Sequence, residues 1–135
     1  MELKARSLNE SDWETMSSWW KWWRWPEVSK EVLPLNGLGG IMICKGEEPV
    51  AAGFLYLSNS NVAWLDWIIS SPTYKELDRK DALEMLINTL EDVAKQQGYT
   101  IIISITRSKS LMETHKKLGY TVDETPSYEI SKKIN

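Results

Sequence analysis

Hydrophobic and polar positions change period several times along the chain, and each change marks a predicted element. Glu2-Leu3-Lys4-Ala5-Arg6 alternates and predicts a short strand. Asn9-Glu10-Ser11-Asp12 is rich in residues that cap helix starts, and a helical period runs from Trp13 to near Pro26. At about 100° per residue, Trp13, Met16, Trp20 and Trp23 share one face, with Trp19 at its edge. Trp22 and Trp25 lie off that stripe. Glu27 to Leu33 predicts a second short helix closed by Pro34, and Asn36 to Gly40 a turn. Ile41–Lys45 and Pro49–Leu57 predict strands of a hairpin, and a turn at 58–61 leads into a strand over Val62–Ser70. Asp78 to Gln97 has the clearest helical period, with Leu83, Leu86, Ile87, Leu90 and Ala94 in the stripe and Gly98 at the expected stop. Thr100–Thr106 is nearly all β-branched and predicts a buried strand. A short helix from Ser108 or Ser110 ends at Gly119, and Tyr120–Val122 with Tyr128–Ile130 predicts a last strand or hairpin. This order specifies an α/β (α+β) fold, with a mixed, mostly antiparallel central sheet and helices on both faces.

Composition narrows the class. With 135 residues the expectation is one domain over residues 1–135. A net charge of -3 argues against a nucleic-acid partner, because phosphate binding needs a concentrated basic face. No apolar stretch approaches the about 20 residues of a membrane span. The start, Met-Glu-Leu-Lys, lacks a basic region followed by an apolar one, so a soluble, cytoplasmic protein is expected. The single cysteine, Cys44, sits in an apolar run and reads as a small buried hydrophobe. One His and one Cys cannot build a zinc site of the usual kind, and no metal is expected. Neither a Gly-x-Ser-x-Gly elbow nor a Gly-Lys-Ser/Thr phosphate loop is present.

Three stretches carry a family resemblance. Ser71-Pro72-Thr73-Tyr74-Lys75 looks like a strand end followed by "x-P-x-Y-R"; Ala82 to Tyr99 with the Ile-rich strand looks like a central helix and fifth strand; and His115-Lys116-Lys117-Leu118-Gly119-Tyr120 closely matches "Y-x-K-L-G-F". Together they resemble the GNAT family of acyl-CoA-dependent N-acetyltransferases, by element order over most of the chain and by motif from about Asp66 to Tyr120. The resemblance implies acetyl transfer from acetyl-CoA to a primary amine of a small molecule or peptide, in a monomer or homodimer. The alternative it leaves open is a catalytically inactive binding protein on the same fold, for a CoA-like ligand or a protein partner.

Carried over position by position, the resemblance implies cofactor contacts at Ile68, Ile69, Ser70, Lys75, Asp78, Arg79, Lys80, Asp81 and Ser108. The family loop reads Q/R-x-x-G-x-G/A. Here Lys75 stands at its first position, and Asp78 and Lys80 stand where the glycines belong. A non-glycine residue forced into a left-handed conformation costs roughly 1–3 kcal/mol. Asp78, with Asp81 three residues on, also resembles a capping box that uses the helix amides a pyrophosphate needs. Both readings stand on sequence alone.

Acyl transfer needs a base for the amine and an acid for the departing thiolate. The implied base is Asp66, which the strand period places on an apolar face with Val62, Trp64 and Ile68; the other reading is a sheet acid satisfied by a neighbour. The implied acid position, a Tyr in the family, is His115, which serves as the acid or simply packs. Eight tryptophans are present, five of them at Trp19, Trp20, Trp22, Trp23 and Trp25. Trp22 and Trp25, with Trp64, are candidates for an acceptor pocket, since aromatic walls suit a flat or cationic amine. Packing under the following loop, or stacking on nucleic acid or a membrane surface, are the competing readings for the cluster.

Overall fold

A computed structural model describes residues 1–135. Five strands form one sheet in the order β1 (Leu3–Ser7), β2 (Gly40–Lys45), β3 (Glu48–Leu57), β4 (Val62–Ser70) and β5 (Ile101–Ser104). All pairs are antiparallel except β4 with β5, which is parallel. Parallel pairing needs a crossover, and α2 (Arg79–Gln96) supplies it. The other helices are α1 (Asp12–Trp22) and α3 (Lys109–Lys117). The mixed α/β architecture read from the hydrophobic pattern is the one observed.

Strand alternation sorts side chains into two cores, one on each face of the sheet. On one face Leu86, Ile87, Leu90 and Ala94 of α2 pack on Ile43, Val50, Ala51, Ala63, Leu65 and Ile68, with Leu111 of α3 alongside. On the other, Met16, Trp19 and Trp20 of α1 pack on Met42, Ala52, Phe54 and Ile69. Full burial of such side chains stabilises by about 1.5–3 kcal/mol each. Cys44 is buried in this second core.

At the start of α1, Asp12 is only 2% exposed and takes a two-pronged bond from Arg6 of β1 (2.7 and 2.8 Å) together with the Asn9 amide (2.9 Å). Burial alone would raise its pKa, yet the Arg6 fork and the Asn9 amide hold it below the usual carboxylate value. Gly98 (φ 91°) and Gly119 (φ 96°) end α2 and α3 in the left-handed region, where a Cβ is penalised. No helix is long and apolar enough to cross a membrane.

Four expectations need correction. The β-branched run is not a buried strand: β5 ends the sheet, pairs only with β4, and leaves Ile101 54% exposed. The helix over Glu27–Leu33 is one 3-10 turn, Lys30–Val32, followed by another at Pro34–Gly37. Its two buried anchors, Val28 and Leu33, are too few for a helical stripe, and Pro34 blocks extension. No last strand forms over Tyr120–Val122 or Tyr128–Ile130. Pro126 lacks an N–H for a ladder, and the Asp123 carboxylate takes the Thr125 amide into a local turn at 2.9 Å. The face that the helical period gave to Trp23 with Trp13, Met16 and Trp20 is not the buried one at its end: α1 stops at Trp22, so Trp19 takes the buried position and Trp23 is 40% exposed.

Leu86, fully buried under β3, reports on the larger core. Leu86→Ala is expected to lower unfolding free energy by roughly 3 kcal/mol, measured by urea denaturation; a loss below about 1 kcal/mol would show that α2 does not pack as described.

Candidate active site

The site begins with one extra residue in β4. Ala52 pairs with Ile69 and Phe54 with Asp66, so two steps along β3 match three along β4. The surplus is absorbed at Trp67, whose φ of 58° is left-handed. Such a conformation costs a bulky residue about 1–3 kcal/mol. Local bonds offset it: the Trp67 amide donates to Asp66 Oδ1 (2.7 Å), and its indole Nε1–H donates to the Tyr56 hydroxyl (2.8 Å). Tyr56 in turn donates to the Val32 carbonyl (3.0 Å), and the Trp25 ring leans on Trp67 at 6.0 Å.

The bulge has two consequences. It flips the side-chain parity of β4. Val62, Trp64 and Asp66 keep one face, whereas Ile68 joins the α2 core with Ala63 and Leu65, so Ile68 and Asp66 do not share a face as the strand period predicted. It also ends the pairing with β5, whose last rungs are Leu65 with Ser104 and Ile105 N–H to Leu65 O (3.2 Å). Beyond that point β4 and β5 part, leaving a wedge. Ser71 N–H bonds Val50 O at 2.7 Å, and Ser70 pairs with Ala51. Bonded pairs alternate in an antiparallel ladder, so the Ser70 amide and carbonyl point away from β3 into the wedge.

Asp66 stands at the apex. Burial raises its pKa, and the charge of Glu129 adds to the rise; the Trp67 amide and Arg107 pull the other way without reversing it. Trp64, 37% exposed, lies two residues away on the same face.

At the mouth, the turn from Ser71 to Asp78 leads into α2. No residue from Ser71 to Ala82 has a positive φ, so this turn needs no glycine. The capping box does not form either: Asp78 makes no side-chain cap bond. Its carboxylate accepts instead from Lys45 of β2 (2.5 Å) and from the Tyr74 hydroxyl. The Lys45 bond, then the Tyr74 bond, hold Asp78 below the ordinary carboxylate pKa, while Asp78 pushes Tyr74 up to about 12. The amides of Lys80 and Asp81 consequently have no acceptor within the chain. Arg79 donates to Ser70 Oγ at 2.7 Å. Lys75 and Lys80 are exposed, whereas Ile69 is buried in the α1 core. Ser108 caps α3 by accepting from the Leu111 amide (3.1 Å).

His115 is 4% exposed. Its Nδ1 lies 2.8 Å from the Leu111 carbonyl, which can only accept, so Nδ1 carries the proton and Nε2 a lone pair. Burial lowers its pKa, and the ring is neutral at pH 7. Nε2 and the Ser104 hydroxyl are both buried without a partner. A concavity of about 420 Å³ lies at the opposite sheet edge over Lys4, Arg6, Cys44 and Glu47, away from this chemistry.

Sequence reasoning missed Lys45, because its contact with Asp78 spans 33 residues and leaves no local pattern. It also missed the bulge at Trp67: an Asp-Trp pair inside an apolar strand carries no turn signal.

No family model matches the chain, and no curated protein matches it in sequence. Solved structures do match. A GCN5-related N-acetyltransferase from Ralstonia eutropha is 14% identical, with a TM-score of 0.67 over 96% of this chain and 99% of that one. The PaiA N-acetyltransferase from Thermoplasma acidophilum, solved in complex with coenzyme A, is 18% identical, with a TM-score of 0.67 over 93% and 94%. An aminoglycoside 6'-N-acetyltransferase from Acinetobacter haemolyticus is 20% identical, with a TM-score of 0.64 over 100% of both chains. The chain therefore has the fold of the GNAT acetyltransferases.

Because the Asp78 pKa is lowered by folding, its contribution to stability is full above the unfolded aspartate value of about 3.9 and is lost as pH falls through the lower folded value. Wild type is expected to melt above Asp78→Asn at neutral pH, with the gap closing only in strong acid. A gap independent of pH, read by thermal melts from pH 2 to 7, would rule out the clamp.

Proposed function

We propose that the protein is an N-acetyltransferase that moves the acetyl group of acetyl-CoA to a primary amine. The observation that carries this reading is the wedge, which sets a half-buried carboxylate of raised pKa at its apex and two acceptor-free amides at its mouth.

The residues present fit a CoA-type ligand. The Ser70 amide and carbonyl present a strand edge to an amide-bearing arm, as a neighbouring strand would. The Lys80 and Asp81 amides, at the positive end of α2, suit a pyrophosphate, with Arg79, Lys75 and Lys80 supplying cations near it. Bound acetyl-CoA supplies the activated acyl carbon and a thiolate leaving group.

Asp66 accepts the proton of the incoming ammonium, directly or through one water, so that the nitrogen lone pair can form the new C–N bond as the C–S bond breaks. Its raised pKa suits that work better than an ordinary surface aspartate. Trp64, beside Asp66 on one face, and Trp25, leaning on Trp67, are the proposed acceptor walls, and Trp22 stands further out at 59% exposure. Such walls favour a flat or cationic amine. His115 as the thiolate's acid has less support, because delivering a proton from Nε2 requires the imidazolium that burial opposes. That same observation favours the second reading, a protein that binds CoA without turnover.

Asp66→Asn separates the two. It is expected to lower kcat/KM at least about 100-fold and to abolish an acidic limb that lies above the ordinary aspartate range. CoA affinity should stay near wild type. The neutral-pH melting temperature should hold or rise, since the amide oxygen still accepts from Trp67 N–H. CoA binding without acetyl transfer to any of a panel of amines, in the wild type, would favour the binding protein.

A further inference from the structure

Resting on the cofactor reading above, we propose that Trp23 is a displaceable plug, held in the free protein on the strand edge that an amide of the ligand must take, and expelled when the ligand enters. The Trp23 indole Nε1–H donates to the Ser70 carbonyl at 3.0 Å. That carbonyl points into the wedge, and it is the last one on β4 to do so, because the next residue turns its amide back to Val50. Trp23 is thus a side-chain donor standing where a ligand amide N–H would donate. A carbonyl loaded by the indole is a poorer acceptor for an incoming amide, so the two compete.

Its mounting is suited to release. Trp23 belongs to neither apolar core. It follows the last residue of α1, and Arg24, with φ at 61°, turns the chain immediately after it. Its backbone stays in the last hydrogen bonds of the helix end, Trp23 N–H to Trp19 O at 3.0 Å and Trp25 N–H to Trp20 O at 2.9 Å, so release is a rotation of the side chain alone. Three contacts hold the ring: the bond to Ser70, an edge-on contact with Trp22 at 4.8 Å, and the Arg79 guanidinium 5.8 Å above its face. Arg79 is itself bound to Ser70 Oγ at 2.7 Å. Expulsion of Trp23 removes the ring under Arg79 and leaves that guanidinium held only by Ser70 Oγ at the α2 N-terminus, next to the Lys80 and Asp81 amides. Clearing the strand edge and arming the anion site become one event.

The test is CoA binding to wild type and Trp23→Phe, by calorimetry and by indole NMR. Phe keeps a ring and removes the donor. The variant is expected to bind CoA about fivefold more tightly, the equivalent of one neutral hydrogen bond removed from the competition. In wild type, the indole N–H signal that the variant lacks should move upfield on adding CoA, as its hydrogen bond to Ser70 breaks. Equal or weaker binding by the variant, or a Trp23 signal that stays in place at saturation, overturns the plug and leaves the cofactor reading standing. No binding by either protein overturns the cofactor reading and the plug together.

Discussion

Much of the molecule's chemistry follows from one surplus residue in β4. A regular ladder would carry β5 alongside β4 to its end and would bury every backbone group there. Inserting Trp67 in a left-handed conformation makes that impossible: the strands separate after Leu65 and Ser104, and the Ser70 backbone is left without a strand partner on that side, its carbonyl taken by the Trp23 indole. The same insertion fixes Asp66, whose carboxylate takes the displaced Trp67 amide. A tryptophan is a costly choice for such a backbone, and its indole bond to Tyr56 together with the Trp25 contact shows where the compensation comes from.

The turn before α2 solves another problem by different means. A turn that leads into a helix with its first amides uncapped must still hold a fixed path. Glycines achieve this through permissive dihedrals. Here the path uses only ordinary dihedrals and is pinned by charge, with Asp78 drawn sideways by Lys45 and Tyr74 and so withheld from the amides it would otherwise cap. A residue that looks in sequence like a helix cap is, in three dimensions, drawn away from the amides it would cap.

Sequence legibility divides along the same line. The stripe Leu83–Leu86–Ile87–Leu90–Ala94 marked α2 by its period, and the β-branched run marked β5 by its composition, because both signals are local. Element order then sufficed for the fold. Pattern failed where a single residue broke the period: Trp67 reversed the parity that had placed Ile68 beside Asp66. It failed again where a contact joined distant segments, as with Lys45 and Asp78, or Trp23 and Ser70. The helix expected over Glu27–Leu33 and the strand expected near Tyr128 were weak amphipathic runs, and proline chemistry at Pro34 and Pro126 outweighed them. Asp66 was legible as an acid in an apolar strand; its surroundings were not, since Arg107 and Glu129 reach it from beyond β5.

The Tyr56 hydroxyl, already described as steadying the bulge, also joins two parts of the chain that lie far apart in sequence. It receives a hydrogen bond from Trp67 and passes one to the carbonyl of Val32, on the connection between α1 and β2. With its one proton committed to Val32, the oxygen holds Trp67 best while that connection keeps its place. Traction on the loop is thereby transmitted to the dihedral angles that aim Asp66, as through a short tie-rod. The stiffness of this loop and the aim of the carboxylate are one mechanical property.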